Sequence, residues 1–149
     1  DSRLSNITGF WTRNLSHAWS PELTLGLNIG EEKNRKGRPD LSRSLWGIRA
    51  GGTIQPAAKW TLGSGLSYQN SRYERDYAAG LPPRRDDFLA LDLSASYAID
   101  RSWLLRSEYQ RIVQQSTIGF FSYNRDQLAF KLRYEFRQSN QTQHTGETA

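Results

Sequence analysis

The chain has 149 residues, 36% of them apolar, and a net charge of +5. With a mean hydropathy of -0.75, no run approaches the ~20 apolar residues of a membrane helix, so a helical membrane protein is excluded. Cys is absent, which removes any disulfide framework and any thiolate chemistry and leaves the redox compartment open. The modest basic surplus fits simple solubility as well as an anionic partner.

The first element lies in "LSNITGFWTRNL", where Ile7, Trp11 and Leu15 share one side. Next, Leu23, Leu25, Leu27 and Ile29 alternate with Thr24, Gly26 and Asn28, and Trp46, Ile48, Ala50 and Ile54 alternate with Gly47, Arg49, Gly51 and Thr53. Residues 60 to 70 set Trp60, Leu62, Leu66 and Tyr68 against Thr61, Gly63, Gly65, Ser67 and Gln69. Residues 88 to 97 set Leu89, Leu91, Leu93, Ala95 and Tyr97 against Ala90, Asp92, Ser94 and Ser96. Residues 102 to 113 set Trp103, Leu105, Tyr109 and Val113 against Arg106, Glu108 and Gln110. The last element, "DQLAFKLRYEF", places Leu128, Phe130, Leu132, Tyr134 and Phe136 on one face and Ala129, Lys131, Arg133 and Glu135 on the other. Alternation at period two, repeated in this way, predicts an all-β protein of about seven antiparallel up-and-down strands.

The connections alternate in length. "SHAWSPEL", "QPAAKW" and "AIDRSW" are short, whereas "EEKNRKGRPDLSR", "RYERDYAAGLPPRRDD" and "QQSTIGFF" are polar and longer. Such sorting is expected of an outer-membrane barrel with its turns in the periplasm; a soluble sheet has no reason for it. Aromatic rings agree: Trp60, Tyr97, Trp103, Tyr134 and Phe136 fall near the turn end and Trp46 and Tyr68 near the loop end, bracketing the apolar face like interfacial girdles. The nine residues from Trp60 to Tyr68, tilted near 45°, climb roughly 20 Å, which suits a membrane band.

On this reading the other face lines a lumen with Arg49, Asp92, Arg106, Glu108, Lys131, Arg133 and Glu135. The final strand resembles the C-terminal signal of Gram-negative barrels, whose paired aromatics Tyr134 and Phe136 match. Lys131 replaces the usual Gly, Ala129 replaces the usual polar residue, and a tail "RQSNQTQHTGETA" follows. That resemblance implies the barrel assembly machinery as a partner.

Residues 83 to 136 carry a wider likeness. "PRRDDFLALDLSASY" and "STIGFFSYNRDQLAFKLRYEF" resemble the end of barrels fused to periplasmic helical repeats, notably the surface lipoprotein assembly modifiers, and of barrels serving exopolysaccharide export. Residues 1–136 are accordingly expected to form the barrel portion and 137–149 a polar tail. Single-chain bacterial barrels have an even number of strands from eight upward, so seven implies a share of a larger barrel whose other strands lie on the same or another chain. Neither Met nor a leader-like segment precedes Asp1, as in a processed or excised product.

Catalysis is not expected. Barrel hydrolases resemble one another in needing a strand-borne His beside Ser or Asp, and the two histidines here fall in a turn (His17) and in the tail (His144). No cofactor motif or metal-ligand cluster is present, and aromatics and charges occupy opposite faces, which disfavours nucleic acid. Two functions remain: part of a transport or secretion pore in the cell outer membrane, surrounded by lipid and lipopolysaccharide, or a surface receptor or adhesin working through its external loops.

Overall fold

A computed structural model describes residues 2–34, 41–76 and 80–136. Seven strands follow one another: β1 (Ser2–Asn14), β2 (Glu22–Asn34), β3 (Arg43–Ala57), β4 (Trp60–Asp76), β5 (Pro83–Ala98), β6 (Trp103–Ser116) and β7 (Tyr123–Tyr134). Each pairs antiparallel with its neighbours in chain order, so the sheet is up-and-down as expected. It is open, with β1 and β7 as free edges. The tail 137–149, including His144, lies outside the described residues.

Register confirms the alternation. Leu25, Ala50, Leu66 and Leu91 are direct partners across β2 to β5, as are Trp60 with Tyr97 and Trp103 with Tyr134. Ile7 and Trp11 of β1 stand opposite Ile29 and Leu25, so they belong to this face too. Leu15 falls beyond the strand, in the connection to β2. Every strand therefore contributes to one apolar face and one polar face.

The expected long loops are shorter than their sequences suggest. Residues 31–34, 73–76 and 83–86 continue as strand, making β4 17 residues long and β5 16. Connections at that end span residues 35–42, 77–82 and 117–122, while those at the other end span 15–21, 58–59 and 99–102. Length thus separates the two ends less cleanly than expected, because the first turn is about as long as the loops. Two local devices close the turn end. The register shift between Ile54 and Ala57 absorbs Pro56, which has no N–H for the ladder, and Asp100 accepts the N–H groups of Ser102 at 2.7 Å and Trp103 at 2.9 Å.

The hydrophobic core is nearly absent. Among the described residues only Leu45, Ala90 and Ile112 are buried hydrophobics, and register puts all three on the polar face. Leu66, in the middle of the central strand, is 50% exposed. Exposure of the apolar face is therefore not an edge effect.

Candidate functional site: two faces of one sheet

The polar face is concave. A hollow of about 490 Å³ is lined by residues from β2 to β7, among them Glu22, Arg49, Asp92, Arg106, Glu108 and Gln127. Small residues make the curl possible: a Cβ on Gly47 would fall 2.4 Å from Asn28 Oδ1, and one on Gly26 would fall 3.1 Å from the ring of Phe10. Phe10, next to Trp11 and so on the opposite face by alternation, lies over the polar side.

Of the predicted lumen residues, Arg49, Asp92, Arg106 and Glu108 line the hollow. They are paired, not free. Arg49 reaches Asp92 at 3.5 Å, and Gln110 donates to the other Asp92 oxygen at 2.8 Å. Glu108 is gripped from two sides, by Arg106 at 2.7 Å and by Lys131 at 2.5 Å, which ties β6 to β7. Arg133 and Glu135 pair with each other at the turn end, outside the hollow. The cations thus form ion-paired ladders rather than a row of unneutralised charge.

A second cluster, at the loop end of the same face, is missing from the predicted set. Arg84 lies 2.5 Å from Asp86, both largely buried, with its guanidinium 3.5 Å from the ring centre of Phe121 and 4.5 Å from that of Tyr73. Arg43 pairs with Glu32 at 3.0 Å and donates to the Tyr73 hydroxyl at 3.4 Å. Four strands and the β6–β7 connection meet here. Parity is the signal that could find it, since Arg84 and Asp86 stand an even number of residues from Asp92 and so share its face.

The apolar face is crossed by a slanting band. Trp11, the last aromatic of β1 on this side, lies on one rung of direct partners with Leu25, Ala50, Leu66, Leu91, Arg111 and Asp126. On β7 the corresponding aromatic is Tyr134, eight residues below Asp126. Eight residues over six strand-to-strand steps make about 26 Å along the strands against about 29 Å across them, an inclination of roughly 42°. Aromatic pairs mark its lower margin, Trp60 with Tyr97 at 4.8 Å and Trp103 with Tyr134 at 4.7 Å, and Trp46 with Tyr68 at 5.4 Å marks the upper one. Tyr134 also packs edge-on against Phe136 at 4.5 Å.

His17 sits in the β1–β2 connection, its ring 5.6 Å from that of Trp19 and its Nδ1 accepting the Trp19 N–H at 3.4 Å. Among the described residues no group of three or more His, Cys, Asp or Glu could hold a metal ion, and no helix is long and apolar enough to cross a membrane, which says nothing of crossing by strands. No protein family, curated protein or solved structure matches the chain.

Proposed function

We propose that the chain is part of an outer-membrane β-barrel whose polar, concave face lines a section of a transport or secretion pore. One observation carries the reading: an exposed apolar band crosses all seven strands on the convex side, while the few buried apolar residues lie on the concave side. A soluble half-barrel would have the reverse. Its slope near 42° falls within the 35–45° tilt of membrane barrels, and its aromatic margins suit two interfaces.

The free edges support a larger barrel. β1 starts beside Asn34 at the loop end and β7 starts beside Gln114 at the same end, so the two run in the same direction. They cannot seal against each other in the antiparallel pattern of the rest of the sheet. An odd number of further strands, on the same or another chain, restores alternation on both sides and leaves no unpaired backbone in lipid. Residues 83–136 remain those that resemble the barrels of surface lipoprotein assembly modifiers and exopolysaccharide exporters, and Tyr134 with Phe136 is the signal proposed for the assembly machinery.

Spin labels at Leu25, Leu66, Leu91 and Leu132 test the membrane reading. They should be accessible to lipid-soluble oxygen and shielded from a water-soluble reagent, while labels at Thr24 and Ser67 show the opposite; water access at the four leucines would end it. Transport is tested separately by Arg106→Glu with Arg133→Glu, which should alter ion selectivity in a bilayer and leave assembly intact. The second reading, a surface-binding barrel, has an observation in its favour: Phe120 stands 92% exposed in the β6–β7 connection. If loss of that ring abolishes function while lumen charge reversal is silent, the receptor reading replaces the pore.

A further inference from the structure

We propose that Arg72 and Arg85 form a clamp for a lipid-borne phosphate at the upper margin of the apolar band. The two arginines are direct partners across β4 and β5, with Ser44 of β3 on the same rung. Alternation puts both on the apolar face, one polar rung (Asn70 with Asp87) above the aromatic and aliphatic pair Tyr68 and Leu89. Like charges directly opposite each other destabilise a strand pair unless something neutralises them. Here no ion pair among the described residues does so. Neither guanidinium makes one among the described residues. Arg72 Nε donates to Asn70 Oδ1 at 3.3 Å, and the Asp87 carboxylate one rung below acts on Arg72 through space without ion-pair contact, its Oδ1 accepting from the Tyr68 hydroxyl at 2.5 Å and from Asn70 Nδ2 at 2.8 Å.

Three neighbouring cations behave differently. At the same end, Arg43 is neutralised by Glu32, Arg84 by Asp86 and Lys33 by Glu31. An arginine pair with no carboxylate in ion-pair contact among the described residues thus sets this rung apart from those three. Guanidinium groups offer forked donors that match phosphate oxygens, and basic side chains at the edge of a membrane segment are a physical signature of anionic headgroups. Below the pair, a shallow groove of about 370 Å³ runs between Leu25, Ala50, Leu66 and Leu91. Six residues separate Arg72 from Leu66, about 20 Å of strand, so a phosphate held above and an acyl chain lying below can belong to one amphipathic molecule. The clamp rests on the membrane reading, since a lipid reaches this face only in a bilayer.

The test measures lipid retained by the protein through extraction from membranes in mild detergent, for wild type, for Arg72→Gln with Arg85→Gln, and for Arg101→Gln at the turn end as a control. Wild type and the control should keep a phosphorylated, acylated lipid about tenfold better than the double variant. The same lipid stripped of its phosphate should be lost from all three, and inorganic phosphate at millimolar concentration should not displace the bound lipid. Equal retention in the double variant, with the leucine spin labels still in contact with lipid, overturns the clamp and leaves the membrane reading standing. Water-exposed leucine labels overturn both. Displacement by inorganic phosphate overturns the lipid assignment in favour of a free-anion site.

Discussion

The two ends of the sheet hold themselves together by different chemistry. At the turn end, rings meet rings: Trp60 with Tyr97, Trp103 with Tyr134, Tyr134 with Phe136. At the loop end, charges and hydroxyls cross-link the strands through Arg84, Asp86, Arg43, Glu32 and Tyr73. On β4, nine residues from Trp60 to Tyr68 span the band and eight more, Gln69 to Asp76, project beyond it. Beyond the apolar band the strands lose their period-two contrast, and the ionic cluster cross-links them there instead. The difference also gives the sheet a sense of up and down.

The sharpest way to break the comparison is to remove the rings. Tyr134→Ala with Phe136→Ala should reduce the folded, heat-modifiable form by about tenfold or more, since two aromatic contacts go as well as the proposed assembly signal. Normal yield would show that the turn end depends on its backbone alone. A smaller effect is expected at the other end. Arg84→Ala strands the largely buried Asp86 and removes two ring contacts, so it should cost about 2 kcal/mol in a denaturant titration, with assembly intact. A loss below ~0.5 kcal/mol would make the cluster incidental.

The smallest effect concerns the β5–β6 turn. Backbone N–H groups of Ser102 and Trp103 hold the Asp100 carboxyl below its ordinary value of 3.8. A depressed carboxylate contributes stability that is fully present above its unfolded pKa and is lost as pH falls through the folded one. The gap in melting temperature between wild type and Asp100→Ala should therefore be constant near neutrality and close only as pH falls below that ordinary value. A gap that persists there would assign the turn to chain geometry instead of to this charge.

How much of this is legible in the sequence follows from the same contrast. Within the band, Leu23 to Ile29 or Leu89 to Tyr97 alternate so regularly that strand and face follow from the residues alone. Beyond it the signal fails for a physical reason: where both faces are polar, "EEKN", "RYERD" and "PRRDD" have no period-two contrast, so strand reads as loop. β1 is the hardest strand because Phe10 and Trp11 are adjacent aromatics on opposite faces, and only pairing with Gly26 and Leu25 shows which of them joins the apolar face. The pairing of Arg72 with Arg85 is hidden for another reason. Their register is a long-range property of the β4–β5 ladder that neither strand encodes by itself.

Edge direction has a consequence for how such a sheet could arise by descent. A unit bounded by two parallel-running edges cannot serve as a repeating module, since a tandem duplicate would bring β7 beside a second β1 with the wrong polarity and interrupt the antiparallel ladder. Growth by hairpins, two strands at a time, preserves polarity at every step. Seven strands make three hairpins and one strand over, and a strand added antiparallel at either margin would run from the turn end to the loop end.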